Sequence, residues 1–281
     1  MVRLIVNADD FGLTRGVNQA ILELHNAGVL PSTTLMARAQ ASGEAVKIAR
    51  CAPTLGVGCH IVLVDGDPVL PPSEIPSLVH ARSGQFPPSL IGFLGGVHSG
   101  RVRSAEIESE VRAQIEFLQS EGLRLTHIDT HKHTHMFPAV LRPVLRAARS
   151  CGIRAIRNPF EPAWAIRATH GAALARVAQV SVLRWLDPVC RNIISEEGFS
   201  TTDGTVAVAG TGVLDAATLR SLLRQIPAGT WELVTHPGYN DADLARVRTR
   251  LRESRDIERQ ALLTFSEFPA IELISYAHLT C

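Results

Sequence analysis

The feature that most narrows what this chain can fold into is an alternation. Short β-like runs recur between stretches of amphipathic helical spacing, and that order builds βα units around a largely parallel sheet. Leu4-Ile5-Val6 predicts a buried first strand. Val17, Ala20, Ile21 and Leu24 then fall at i, i+3, i+4 and i+7, with Gly28 placed to end that helix. Further strands are expected at 33–37, 56–63, 123–129, 153–156, 231–235 and 271–276. Helices are expected at 42–50, from Ser104, at 138–150, at 172–192 with an interruption at Pro188, and from an Asp215 N-cap to Pro227. One long charged helix is expected over 241–264. With no internal repeat or clear linker, residues 1–281 read as a single α/β domain. A closed or nearly closed (β/α) barrel is preferred, with an open doubly wound sheet as the alternative.

Residues 64–103 break the rhythm. Pro68, Pro71, Pro72, Pro76, Pro87 and Pro88 crowd into a stretch with several glycines, and a loop this long in a compact domain commonly serves as a lid or binding loop. Composition excludes several classes. A hydrophobic fraction of 46% supplies an ample core, and a net charge of +1 offers no long-range attraction to nucleic acid. No apolar run approaches the roughly 18 residues of a membrane span, and the short apolar start, ending in Asp9-Asp10, does not read as a signal peptide, so none is expected. Five scattered cysteines without a CxxC pair argue against a disulfide framework and a thiolate zinc site, so a reducing cytoplasm is the simplest home.

In parallel α/β folds the active site lies at the C-terminal ends of the strands. The polar residues that stand out fall there: Asp9 and Asp10 after the first strand, His60 in the third, Asp129 to His135 after the fourth, Arg157 after the fifth and His236 after Glu232-Leu-Val-Thr235. His127, His131, His133 and His135 lie within nine residues, and such tracts tend to bind metal. Extended backbone would put them on one face, but not all four can ligate one ion. Of two adjacent carboxylates, one could ligate a metal while the other acts as base, or Asp10 or Thr14 could simply cap the next helix. Taken alone, His60 is more often a satisfied core histidine, and Arg157 could be a surface ion pair. The turn signal Pro237-Gly238 after His236 exposes that imidazole at the sheet edge. Arg246, Arg248, Arg250, Arg252, Arg255 and Arg259, interleaved with acids, read as a solvated, salt-bridged helix face.

Five motifs in order, Asn7-Ala-Asp-Asp-Phe-Gly-Leu, Gly58-Cys-His60, His127-Ile-Asp-Thr-His-Lys-His, Arg157-Asn-Pro-Phe-Glu161 and Thr235-His-Pro-Gly-Tyr, resemble the YdjC-like family of carbohydrate deacetylases. The resemblance runs from Val2 to Ile274-Ser-Tyr. It implies a deformed (β/α) barrel of about seven strands and one divalent metal, Mg2+ or Zn2+, held by Asp10, His60 and His131. It further implies Asp9 as base and His236 as acid. Asp129, His127, His133, His135, Arg157 and Glu161 would orient ligands or contact substrate. Val62 to Pro76 is similar to hopanoid-biosynthesis-associated members, whose proposed substrate is an N-acetylglucosaminyl hopanoid, while Trp231 to Tyr276 looks like the chitooligosaccharide deacetylase members. The departures are Cys59, where Leu is more usual, and Asn158 after Arg157.

The expected partner is therefore an N-acetylated sugar, with no nucleic acid, contact with a membrane surface only for a lipid-linked substrate, and a homo-oligomer allowed. Trp164, Trp185 or Tyr239 could stack on a sugar ring. Two other classes are open: a metal-dependent hydrolase of another bond such as a phosphoester, which a two-metal count would reveal, and a non-catalytic sugar- or metal-binding relative, which would not need both Asp9 and His236.

Overall fold

The computed structural model describes residues 1–265, 268 and 270–279. Its centre is β1 (Val2–Phe11), a ten-residue strand buried from Leu4 onward. It pairs in parallel with β2 (Ser32–Leu35) on one side and β6 (Gly229–Thr235) on the other. With β3 (Gly56–Ile61), β4 (Ile128–Thr130) and β5 (Gly204–Val206), the sheet order is β4-β3-β2-β1-β6-β5, and β7 (Ile271–Leu273) adds to β1. Isolated parallel bridges, Ile128 with Ile156 and Ala155 with Ser200, carry the pairing from β4 towards β5. The sheet thus curls into a deformed barrel wrapped by helices.

The two faces of β1 show why the interior can hold a site. Leu4, Val6 and Ala8 point outward into the main apolar core, shared with Val17, Ile21 and Leu24 of the helix Arg15–Asn26. On the inner row, Ile5 joins a small plug of Ala155, Ile274 and Tyr276, whereas Asn7 and Asp9 above it are polar. The barrel therefore has an apolar floor and a polar upper half. His127, also buried, stacks face to face on Tyr276 with 3.8 Å between ring centroids.

Several local expectations hold. Thr14, not Asp10, caps the first helix by accepting from Val17 N at 3.2 Å, and Gly28 with φ +75° follows its end. Asp215 caps the helix Ala216–Gln225. Others are corrected. The 64–103 stretch, expected to be without regular structure, contains the helix Leu90–His98, and its irregular part is pinned to a neighbouring helix. Glu110 on the helix Ser104–Ser120 accepts from Val69 N and Leu70 N, and Glu106 accepts from Ser77 N. The long charged helix is two, Ala242–Arg246 and Glu253–Leu262. The 123–129 strand shrinks to β4, and 153–156 contributes only bridges. The four described cysteines are free, and Cys281 lies outside the described residues. No helix among the described residues is long and apolar enough to cross a membrane.

A Cβ at Gly58 would lie 2.5 Å from the His127 ring, which Tyr276 backs from the other side. Gly58→Ala is expected to destabilise the fold by about 1–3 kcal/mol through overpacking. Gly43→Ala, whose Cβ meets nothing within 4 Å, should not lower stability. Urea midpoints of both proteins check this, and an unshifted Gly58→Ala midpoint would mean that the ring moves aside freely.

Candidate active site

Adjacent residues of a regular strand face opposite ways, so Asp9 and Asp10 could not share a pocket if β1 stayed regular. It does not. The register with β2 shifts between Ala8 and Phe11, and Asp10 takes φ +65°, a left-handed conformation that Asp tolerates better than most residues. Both carboxylates thereby reach the opening. A second break occurs after β4. Instead of extended backbone, His131–Met136 form a 3-10 turn, with Lys132 and His133 at φ 55° and 52°. The three histidines of the turn, His131, His133 and His135, are thus sent in different directions, and His127 lies before β4.

Only His131 of that tract joins a ligand-like group. Asp10 Oδ1, His60 Nε2 and His131 Nδ1 form a triangle with edges of 3.3, 3.5 and 3.5 Å. Bonds of about 2.0–2.1 Å to one tetrahedral ion would set ligand atoms about 3.3–3.4 Å apart, so the spacing fits a divalent metal. The other His60 nitrogen, Nδ1, is held by Asp129 Oδ1 at 2.7 Å, the usual way a carboxylate aims a ligating imidazole. Asp9, His60 and Asp129 also come close enough to hold an ion. Their carboxylates, however, are already engaged with Arg157, which makes the first group the better cradle.

Arg157 is fully buried, not on the surface. It binds Asp9 through two bonds of 2.6 and 2.7 Å, and reaches Asp129 at 2.7 Å and Glu232 at 2.6 Å. Burial alone would raise the pKa of Asp9, but the guanidinium outweighs it and holds that carboxylate well below its usual range. Asp10 is held down in the same way, against burial, by Arg255, whose Nη2 donates to Asp10 Oδ2 at 2.5 Å. For His60, burial is overcome by Asp129, Asp9 and Asp10, and the pKa rises to about 9. A field that draws a proton onto a buried imidazole also favours a cation beside it.

His236 follows β6 and places Nε2 3.8 Å from Asp9 Oδ2. Its backbone N donates to Glu258 Oε2 at 2.6 Å, while its Nδ1 has no hydrogen-bond partner. Burial lowers the ring to a pKa of about 4 despite Asp9 and Asp10, so it is neutral at neutral pH.

The remaining expected residues sit around this centre without joining the ligand group. His127 belongs to the floor stack. His135 is tied to Thr130 Oγ1 at 2.7 Å and to the Arg157 carbonyl at 3.2 Å, and half-buried His133 leaves its Nδ1 unpartnered. Glu161 accepts from Ala207 N and Ala209 N at 2.7 and 2.6 Å, fixing the turn after β5. Trp164 packs edge-on against Trp231, Tyr239 lies under Arg259, and Trp185 is exposed.

Residue-by-residue reading missed Arg255, Glu258, Glu232 and Tyr276. The alternation of arginines with acids places Arg255 on a solvated face, yet it is 1% exposed. Its signal was present: counting back from Leu262 by four and three reaches Glu258 and Arg255, the buried stripe of that helix.

A family model described as YdjC-like protein matches residues 3–268. The chain belongs to the YdjC-like family. A carbohydrate deacetylase of Thermoanaerobacter pseudethanolicus is 29% identical over 93% of this chain and 91% of its own. A chitooligosaccharide deacetylase of Salmonella schwarzengrund is 31% identical over 98% and 92%. The carbohydrate deacetylase of Brevibacillus brevis reaches 43%, over 57% of this chain and 60% of that one. A crystal structure from Enterococcus faecalis V583, named for cellobiose-phosphate cleavage, is 27% identical with a TM-score of 0.76, covering 99% of this chain and 98% of that one. This YdjC-like chain thus shares both its family and its curled parallel sheet with relatives along nearly its whole length.

Two outcomes follow for the site. Arg157→Met leaves three buried carboxylates without their cation and is expected to cost about 3–5 kcal/mol, read from urea unfolding. Because His236 is depressed from about 6.5 to about 4 on folding, the unfolded state binds more protons between those values. That contribution to stability is present above pH 6.5 and is lost as pH falls to 4, on the order of 3 kcal/mol. His236→Gln should show a shallower acid-side loss than the parent; equal slopes would mean that His236 titrates normally.

Proposed function

We propose that this protein hydrolyses the acetamide of an N-acetylated amino sugar, releasing acetate and the free amine with the help of one divalent metal ion. The observation that carries the reading is the meeting, at one opening, of the Asp10–His60–His131 triangle with the Asp9–His236 pair. The family and its full-length relatives make the chain a deacetylase-type hydrolase. Asp10, His60 and His131 would hold the ion. Two imidazoles with one carboxylate suit Zn2+ better than Mg2+, which prefers oxygen. When bound, the metal supplies Lewis-acid polarisation of the acetamide carbonyl and acidifies a water at the site.

The chain's own groups manage the protons. Arg157 keeps Asp9 ionised and fixes the plane of its carboxylate, so Asp9 is unprotonated when the attacking water arrives and accepts its proton on a lone pair that Arg157 leaves open. His236 begins neutral and lies close enough to Asp9 to take that proton onward. It then delivers the proton to the departing nitrogen, the C–N bond breaks, and acetate is left. Without that delivery the tetrahedral intermediate would expel water instead of amine. The sugar is N-acetylglucosamine, either in a chitooligosaccharide, as the Salmonella relative's name suggests, or in a glycolipid such as an N-acetylglucosaminyl hopanoid, as the 62–76 segment suggests.

Acetate release from diacetylchitobiose and from an N-acetylglucosaminyl lipid, with and without EDTA, tests the scheme. Release should stop with EDTA and return with added Zn2+, and Asp9→Asn should lower kcat by about 10²–10⁴. Release untouched by EDTA removes the ion, full activity of Asp9→Asn removes the base, and no release from either substrate sinks the deacetylase reading.

A further inference from the structure

The helical stretch 174–196 is apolar on two sides, and the protein covers only one of them. It runs as the helix Leu174–Leu183, a 3-10 turn Arg184–Leu186 and the helix Asp187–Glu196. On the covered side, Val180 joins Ile166, Val208, Ala209 and Val234 in a small core, and Cys190 Sγ donates to Met136 O at 3.3 Å. Val208 and Ala209 follow β5, and Met136 closes the turn that begins at His131, so the stretch lies at the open end of the barrel. The other side faces water. Leu174 is 87% exposed and Trp185 85%, and Ala178, Val182 and Val189 are exposed with them. Their spacings of four, four, three and four set these five along one side of a helix.

A helix with apolar residues all round is ordinarily covered all round, and a continuous exposed apolar stripe marks a surface that meets something. The charges indicate what it meets. Residues 163–186 contain Arg167, Arg176 and Arg184 and no acid. Arg176 is used internally, donating to Val208 O at 3.1 Å and Gln179 Oε1 at 3.2 Å. Exposed Arg184 adjoins Trp185, and exposed Arg167 lies on the helix Ala163–Ala168, which packs against Leu174–Leu183. Two acids that follow are occupied: Arg191 holds Asp187 at 2.8 Å and Arg149 holds Glu197 at 2.7 Å. A second copy seated here across a two-fold axis would bring the same arginines to both sides of the contact, which repel. An anionic bilayer surface attracts them, accepts the Trp185 ring at headgroup level and buries Leu174 and Val182 beneath it.

We infer that this face docks on an anionic lipid bilayer, with residues 174–189 lying along the surface rather than crossing it. One helix, about 10–12 Å across, then stands between the bilayer and the turn that carries His131. The inference goes beyond the deacetylase reading and is tested without turnover, so the two fail separately. Val182, Arg184 and Trp185 are exposed and outside the reaction centre, so their replacement spares the fold.

The test is co-sedimentation with vesicles of about 30% phosphatidylglycerol in phosphatidylcholine, set against pure phosphatidylcholine, in about 0.1 M NaCl. The parent should bind the anionic vesicles at least about tenfold more tightly than the neutral ones, and about 0.5 M NaCl should remove most of that difference. Arg184→Gln should lose about fivefold, the effect of one basic residue at such a surface. The double variant Val182→Ser with Trp185→Ser should lose at least about tenfold while keeping the parent's urea midpoint. Of the three tryptophans, Trp164 and Trp231 pack on each other, so a blue shift of emission on adding vesicles reports Trp185. Trp185→Phe should bind without that shift. No binding by the parent, or equal binding by the parent and the double variant, overturns the inference. So does a parent dimer in sedimentation velocity that the double variant abolishes, because the face then belongs to a second copy.

Discussion

The interior of this barrel depends on one buried cation. Arg157 meets Asp9 from β1, Asp129 from β4 and Glu232 from β6, so a single guanidinium joins strands that lie on different sides of the ring. Ion pairs taken out of water gain stability only with near-complete hydrogen bonding, and an apolar filling would be as stable or more so. What the charged filling provides instead is a carboxylate that stays ionised while buried, and an imidazole, His60, aimed by Asp129, another carboxylate on Arg157. The charges of the cluster are held in balance by His60. Asp9, Asp10 and Asp129 face Arg157 and Arg255, burial pushes Glu232 up and Glu258 to about 7, and the same carboxylates raise His60 to about 9. A divalent cation at the Asp10–His60–His131 triangle would take the place of that proton.

The second requirement is geometric. β1 must end irregularly for two consecutive carboxylates to serve one opening, and the left-handed Asp10 is the local strain that achieves it. The helix Glu253–Leu262 holds the result in place. Its Arg255 engages Asp10 Oδ2, which leaves Oδ1 facing the two imidazoles, and its Glu258 fixes the backbone of His236. One helix thus positions a residue of the Asp10–His60–His131 triangle and the proposed proton donor together, and Arg259, over the Tyr239 ring and beside Glu23, docks it against the first helix.

Much of this was legible in the chain because it is encoded over short distances. Hydrophobic periods of two and of 3.6 announced the parallel α/β architecture, and capping and turn residues such as Thr14, Gly28 and Asp215 marked helix ends. The placement of Asp9, Asp10, His60 and His236 at strand ends followed from the same periodicity. The reading faltered where a period continues through a break, as in the charged segment that is two helices. It faltered also where prolines masked regular structure, as at Leu90–His98.

What the sequence by itself determined is the class of fold, the mouth at which the chemistry must sit and the residue types available there. Tertiary structure decided which of them meet. Four histidines in nine residues are equivalent on paper, and only the 3-10 turn after β4, with two left-handed residues, turns His131 towards the triangle, while His127, just before β4, stacks on Tyr276 at the floor. Arg157 joins Asp9 across 148 positions, and Arg255 joins Asp10 across 245. Periodicity is a property of neighbours along the chain, whereas a buried charge is stabilised by whichever opposite charge the folded backbone brings within bonding distance.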